Sequence, residues 1–529
     1  LASRRGARGG PAGSEGGRGG GVQALLLMSK HPGKRERQEQ SAADDISVGN
    51  VTGSIIAVGR GAWAVKIDLR LLPVVLLLLA VVGVLAYSLL RPQIPEQMAG
   101  DFNVAIARFA MVDEDGTAAR GRDGEELASF VYRRMRDDFQ ELELPGIASE
   151  IWPPAYTGQV RGASREEREN EAKALAERIN ADVLVYGVIV ANGERSRFYP
   201  EFYVSYKGFA EAQEITGQHE LGRELSVSLP FNASQVTPFD NPALAARANA
   251  LSLATIGLAY YAIDDYGSAH DYFARAEAVR GWSSSAGKEV IYLLLGNASI
   301  RRSSKERTTA YLADAAAQYD AALAINPTYA RAMLGKAGVF YLSGLGDPNV
   351  GGDELIDLAL LDEAAALYQA ALQAGSPPAS ANVETKVHFG LGRVEMARYL
   401  QARAVGGDRL APLDRARAEF ALVLDALASG NPGVGELAGQ AHAFLGLADG
   451  AEGSVDLAIE HYKQAVTLVT PAWQSYCYAQ LGELYAGLGQ TAAAVEAYDM
   501  AVDQAEFYGD ESLAKYEARL NELKGVVKP

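Results

Sequence analysis

Cysteine is almost missing from this chain, since Cys477 is the only one among 529 residues. A single thiol excludes an internal disulfide and the paired-cysteine motifs of structural zinc sites. The sequence also lacks three common catalytic or nucleotide-binding motifs, G-x-x-x-x-G-K-S/T, G-x-S-x-G and H-E-x-x-H. We therefore expect a protein that is not an enzyme and that holds no cofactor and no metal ion.

Positive charge is scarce outside the N-terminal part of the chain. Residues 1–91 hold 12 Lys and Arg against 6 Asp and Glu, a net charge of +6. The remaining residues hold 37 Lys and Arg against 60 Asp and Glu, a net charge of −23. An acidic body repels phosphate backbones, so we do not expect nucleic acid as a partner.

The first 67 residues have little to bury. Residues 1–45 are rich in glycine and arginine and predict a disordered basic tail. The first methionine is Met28, so residues 1–27 are either translated sequence upstream of the natural start or a genuine disordered tail. Residues 46–67 place glycines between short apolar pairs, which predicts a Gly-rich connector of β-turns.

Residues 71–90 form an apolar run without any charge, LLPVVLLLLAVVGVLAYSLL. Twenty helical residues span about 30 Å, the thickness of a bilayer core. A buried core helix fits poorly because the run is apolar on every face, and a cleaved signal peptide would have to begin unusually far from the N-terminus. The run therefore predicts an uncleaved transmembrane anchor. Because most nearby Lys and Arg precede it, we expect a cytoplasmic N-terminus and extracytoplasmic residues after 91.

Residues 100–235 predict a small α/β domain. The order is strand (102–110), amphipathic helix (124–142), short strand (147–154), helix (163–180) and apolar strand (181–190), followed by further strands up to Phe231. The sequences FNVAIARF, GEELASFVYRRM and EAKALAERINADVLVYGVIV resemble the N-terminal domain of TolB and related bacterial envelope lipoproteins. That resemblance implies a domain that contacts other proteins and carries no active site.

Residues 243–507 contain internal repeats at a step of 36 residues. The aligned residues are Leu445 with Leu481, Gly446 with Gly482, Ala458 with Ala494, Tyr462 with Tyr498 and Ala465 with Ala501. This pattern resembles the tetratricopeptide repeat (TPR), a pair of antiparallel helices. The resemblance implies a mainly α protein with about six hairpins stacked into an α-solenoid, and a C-terminal capping helix within residues 508–529.

In tetratricopeptide proteins, positions two, five, nine and twelve of the first helix line the concave face, so the resemblance implies protein contacts there. The residues that we single out as groove candidates are Leu258, Tyr261, Arg331, Tyr341, Gln440, Tyr476 and Glu483. Family members that hold a C-terminal carboxylate use Lys, Arg and Asn at such positions. This chain has Ala254 and Ala479 there instead, so we do not expect that mode of binding.

Two functions fit these features. The first is a membrane-anchored scaffold for protein–protein interaction that acts through the repeats. The alternative is an envelope sensor or transport accessory protein, in which the α/β domain recognises the ligand or partner and the repeats serve as a spacer. Deleting residues 243–507 or residues 100–235 separates the two hypotheses, because partner binding is lost with a different segment in each.

Overall fold

A computed structural model describes residues 76–82 and 96–526, except residues 120, 141–146, 193–194, 208, 210–211, 213, 232–240, 284, 286, 347–355, 375–381, 509 and 511. The chain divides after Pro92 into two units. In the first unit, residues 76–82 are helical (α1). The predicted tail, the connector and the rest of the predicted membrane span lie outside the described residues. No helix in the described ranges is both long and apolar enough to cross a membrane.

The second unit begins with a seven-stranded mixed sheet. Its elements are β1 (Phe102–Ile106), β2 (Ala110–Asp113), α2 (Asp123–Gln140), β3 (Ser149–Trp152), α3 (Pro154–Thr157), α4 (Arg165–Ile179), β4 (Val183–Ala191), β5 (Arg195–Val204), β6 (Gly217–Glu220) and β7 (Leu225–Ser228). The strand order is β3-β1-β4-β5-β6, with β2 pairing with β4 and β7 pairing with β5. Strands β1 to β4 pair in parallel, and β5, β6 and β7 are antiparallel.

The sheet is buried on both faces because its apolar strands alternate between two clusters of side chains. In β1, Val104 and Ile106 pack with α2, whereas Ala105 packs with α4 on the opposite face. Helix α4 begins at a capping box, in which the Ser164 side chain accepts from the Glu167 backbone N–H. The result is a small α/β domain, as the sequence predicted, and its sheet lies between two helical layers. Its likeness to TolB stays a prediction.

Twelve described helices then form six antiparallel hairpins, followed by one further helix. The hairpins are α5 (Pro242–Ala262) with α6 (Tyr266–Glu277), α7 (Glu289–Lys305) with α8 (Leu312–Ile325), α9 (Ala330–Leu345) with α10 (Leu358–Gln373), α11 (Val383–Val405) with α12 (Leu410–Ala428), α13 (Gly435–Ala451) with α14 (Val455–Leu468), and α15 (Pro471–Gly487) with α16 (Thr491–Tyr508). The last helix is α17 (Leu513–Val526). We call the first helix of each hairpin its A helix and the second its B helix.

The Leu-Gly pairs of the sequence have a direct packing reason. A Cβ added to Gly482 would lie 2.5 Å from the Tyr498 ring, and one added to Gly296 would lie 2.7 Å from the Tyr319 ring. Only glycine lets the A helix approach the aromatic ring of its B helix so closely. Tyr498 and Tyr319 are buried as a consequence. The predicted tetratricopeptide-type solenoid with a small α/β domain is therefore confirmed.

The A helices line the inner side of this array. Successive A helices contact one another from α7 to α15, whereas no two successive B helices in the described residues make contacts of that extent. Helices on the inside of a curved stack approach each other more closely, so we call this side the A face. The α/β domain joins the array through a continuous core, in which residues of β1 and α2 pack with those of α5 to α9.

Candidate functional site

The first half of the A face is occupied by the chain's own α/β domain. The connection between β5 and β6 is described at residues 205–207, 209, 212 and 214–216, and we call these residues the β5–β6 segment. They contact α5 through Phe209, and α9 and α11 through Glu214. Phe209 of this segment packs against Tyr261 of α5, with 5.9 Å between ring centroids. Both rings are buried. The groove candidate Tyr261 therefore contacts a residue of its own chain.

Arg331 of α9 makes the most extensive polar contact at this junction. Its guanidinium donates hydrogen bonds to the main-chain carbonyls of Glu214, Thr216 and Gln218, at 3.1, 2.7 and 3.1 Å. The side chain is 4% exposed. Burial lowers the pKa of Arg331, which means that removal from water disfavours its charged form. The three carbonyls offset that cost, because each accepts a charge-assisted hydrogen bond.

His219 of β6 completes the surroundings of this guanidinium. Nη1 of Arg331 lies 2.8 Å from Nε2 of His219, and the imidazole stacks on Phe202 with a centroid separation of 5.0 Å. Complete burial, and then the charge of Arg331, holds the pKa of His219 well below its usual value. The imidazole is therefore neutral at physiological pH and tolerates the cation beside it.

An ion pair fixes the same segment one hairpin further along. Nζ of Lys386, on α11, pairs with the carboxylate of Glu214, and both side chains are largely buried. Lys386 stands five residues before Leu391, the same position relative to a Leu-Gly pair as Gln440 and Tyr476 in the next two hairpins. The sequence alignment therefore held the signal for this contact residue, although it is not among the groove candidates.

The five groove candidates in hairpins one, three and five are buried side chains. Leu258, Tyr261, Arg331, Tyr341 and Gln440 have relative exposures of 1, 4, 4, 5 and 8%. Tyr341 lies beneath the guanidinium of Arg393, 4.1 Å from the ring centroid. Gln440 donates to Glu436 at 2.8 Å. Side chains this deeply buried offer almost no surface to another molecule in this structure.

The last hairpin places its two candidates nearer to solvent. Tyr476 is half-buried and packs edge-on against Tyr462 and Trp473, at centroid distances of 6.4 and 6.0 Å. Glu483 is exposed and accepts hydrogen bonds from the Tyr498 hydroxyl at 2.6 Å and from Arg519 at 3.0 Å. The A face of hairpin six therefore presents aromatic edges and a carboxylate.

Potentially reactive groups elsewhere in the array have structural surroundings. Burial raises the pKa of Cys477 to about 12, so its thiol stays protonated. His442 and His461 approach within 2.9 Å through their Nδ1 atoms, and burial lowers the pKa of His442 to about 4. In the part of the chain that the structure describes, no group of three or more potential ligand side chains is arranged to hold a metal ion.

Comparison with solved structures returned tetratricopeptide proteins. A thermophilic TPR protein of Thermus thermophilus is 15% identical, with 52% of this chain and 98% of that chain covered and a TM-score of 0.24. YrrB, described as a TPR protein with an unusual peptide-binding site, is 19% identical. That match covers 47% of this chain and 97% of that chain, with a TM-score of 0.25. The TPR2AB domain of yeast Sti1, in its complex with pHSP90, is 15% identical. That match covers 52% of this chain and 98% of that chain, with a TM-score of 0.19. No protein-family model matches the chain, and no curated protein matches it either.

Proposed function

We propose that this chain is a protein-interaction scaffold whose helical array holds polypeptide segments on its A face. One observation carries the proposal, namely the hydrogen bonds from Arg331 to the main-chain carbonyls of Glu214 and Thr216 in the β5–β6 segment and of Gln218 in β6. Main-chain carbonyls occur in every polypeptide, so this face has the chemistry needed to hold an extended segment. In hairpins one, three and four that segment comes from the same chain.

The partner site in this proposal is the A face of the last hairpin, on α15. Trp473 and Tyr476 are half-buried there, and Glu483 is exposed. Aromatic side chains supply large contact areas at protein interfaces and are frequent among the residues that dominate binding. A partner segment on this surface would continue the array's use of its inner face beyond Lys386.

Membrane anchoring by residues 71–90 is part of the proposal. Its support is the uncharged run of twenty residues and the excess of Lys and Arg before it. The array would then be displayed outside the cytoplasm, with the N-terminus inside. A reporter that works only outside the cytoplasm, fused after Pro529, should be active. Activity of a reporter that works only in the cytoplasm at the same position would refute this orientation.

Catalysis has no part in the proposed function. The support is the lack of catalytic sequence motifs together with the protonated, buried state of Cys477. The protein would act by binding its partner reversibly and holding it near the membrane.

Site-specific photo-crosslinking in intact membranes tests the partner site. A photoreactive amino acid replaces Tyr476 or Glu483 in the full-length chain, and in a control it replaces Leu457, which is 58% exposed on the B helix α14. We expect a discrete crosslinked species from positions 476 and 483 and none from position 457. The same species from all three positions, or none from 476 and 483, would overturn the proposed site.

A further inference from the structure

A cleft of about 650 Å³ lies between the α/β domain and the first hairpin. Helix α2 forms one wall with Phe130, Arg133 and Arg134, and the first turns of α5 form the other wall. Val279 and Arg280, which follow α6, close one end. Clefts of roughly 300–1,000 Å³ are typical of sites that bind small molecules. The size of this cleft therefore suits a small organic ligand.

The charged side chains that line this cleft are mainly cationic. Arg133, Arg134 and Arg280 stand against one acid in the lining, Asp137. Beside the lining, Oδ2 of Asp138 lies 3.7 Å from Nε of Arg134. The carboxylate of Asp137 is already held by Arg136, whose Nη2 lies 2.7 Å from Oδ1. The chain after residue 91 has a net charge of −23, so a concave surface with this excess of arginine differs in sign from the body around it. Such a surface attracts anions.

Two further features support an anionic ligand with an apolar part. The long helix α5 begins at the cleft with Pro242, and the N-terminus of a helix carries a partial positive charge. Phe130, Ala245 and Val279 provide an apolar lining beside the guanidinium groups. Arginine presents its donors in a planar fork that matches both carboxylate and phosphate oxygens. The lining thus combines an anion-binding edge with an apolar floor.

We propose that this cleft binds a small organic anion, a carboxylate or phosphate group attached to an apolar body. The anionic group contacts Arg134 and Arg280, and the apolar body packs against Phe130 and Val279. Nη2 of Arg134 already donates to Oδ1 of Asn249 on α5 at 3.2 Å, so the same arginine links both walls. A bound anion therefore connects the α/β domain to the first hairpin.

The test uses the full-length chain in detergent and three fluorescent probes of the same shape. These are 1-naphthyl phosphate, 1-naphthoate and the neutral 1-naphthol, with inorganic phosphate as a probe that lacks the apolar body. Isothermal titration calorimetry should show saturable 1:1 binding of at least one of the two naphthyl anions. Binding of 1-naphthol and of inorganic phosphate should each be at least tenfold weaker. The ratio of the two anions identifies phosphate or carboxylate as the preferred group.

Matched charge reversals assign the binding to the cleft. The double variant Arg134→Glu/Arg280→Glu should weaken anion binding at least tenfold, whereas Arg403→Glu, an exposed residue near the end of α11, should leave it unchanged. The single variant Arg280→Glu, which alters an exposed side chain, should also weaken binding and serves if the double variant unfolds. Absence of anion binding, equal binding of 1-naphthol, or equal effects of Arg280→Glu and Arg403→Glu would overturn the proposal.

Discussion

Replacing Arg331 by methionine should release the β5–β6 segment from the helical array. Methionine fills a similar length of side chain but cannot donate to the carbonyls of Glu214, Thr216 and Gln218, which Arg331 reaches at 3.1, 2.7 and 3.1 Å. A hydrogen bond from a charged group contributes about 1.5–3 kcal/mol, so the gross loss is roughly 5–9 kcal/mol. Relief from burying the cation, which the lowered pKa of Arg331 indicates, offsets part of it. Each buried carbonyl left without a donor costs about 1–3 kcal/mol, so we expect a net loss of about 3–5 kcal/mol.

Two measurements check this estimate. Urea unfolding followed by circular dichroism should show a lower midpoint for Arg331→Met, by an amount that corresponds to about 3–5 kcal/mol. Brief digestion with trypsin should cut the variant after Lys207, within the β5–β6 segment, faster than it cuts the parent protein. The second measurement reports on the segment itself, whereas the first reports on the whole unit.

A matched arginine elsewhere in the array provides the control. Arg403 is exposed near the end of the A helix α11, and its replacement by methionine should change stability by less than about 0.5 kcal/mol. If Arg331→Met unfolds at the same urea concentration as Arg403→Met and Lys207 stays protected, the buried guanidinium does not hold the segment and the reasoning is wrong.

Three other predictions can be checked by thermal or urea unfolding. Gly482→Ala should destabilise the protein by about 1–3 kcal/mol because the new Cβ meets the Tyr498 ring at 2.5 Å. As the control, Gly487→Ala places a Cβ that meets nothing within 4 Å, so it should be neutral or stabilising by up to about 1 kcal/mol. A larger loss of stability in Gly487→Ala than in Gly482→Ala would refute the packing argument. Ala494→Leu should cost about 1–3 kcal/mol by overpacking a fully buried position, and an unchanged melting temperature would count against the repeat alignment. The pKa of His219 in the folded protein is held below its unfolded value of about 6.5. Below pH 6.5 the unfolded chain therefore binds more protons than the folded protein, and the free energy of unfolding decreases as the pH is lowered. The loss between pH 7.5 and 5 should be smaller in His219→Gln, and equal losses would contradict this assignment.

Local physical patterns made the array predictable from the sequence. The Leu-Gly pair and the aromatic residue of the B helix lie within about twenty residues of each other, as Gly482 and Tyr498 show. The small side chain and the ring fit together within one hairpin, so the same solution recurs wherever that hairpin is repeated. The apolar character of β1 and β4 likewise predicts their burial, since every residue of β1 and most residues of β4 are buried. Such features require no knowledge of distant parts of the chain.

The surroundings of the A face could not be found in the same way. Arg331 reaches Glu214 across 117 residues of sequence, and Tyr261 meets Phe209 from another domain. The position of each residue in its hairpin predicts that it faces inward, and both do contact a polypeptide. It does not predict that the polypeptide is the same chain, because this depends on how the α/β domain docks. Burial of the candidates follows from that docking.

The shared core of the α/β domain and α5 has a consequence for how such a protein can change in length. A stack of repeats needs a polar or covered surface at each end, or its terminal hairpin exposes apolar area. Here the α/β domain covers one end, since α2 packs on α5 and α5 is buried on most of its faces. Helix α17 covers the other end through Tyr516, Leu520 and Leu523. In the described residues both ends of the stack are therefore covered. We expect hairpins inserted between existing ones to be tolerated, because such an insertion disturbs neither covered surface.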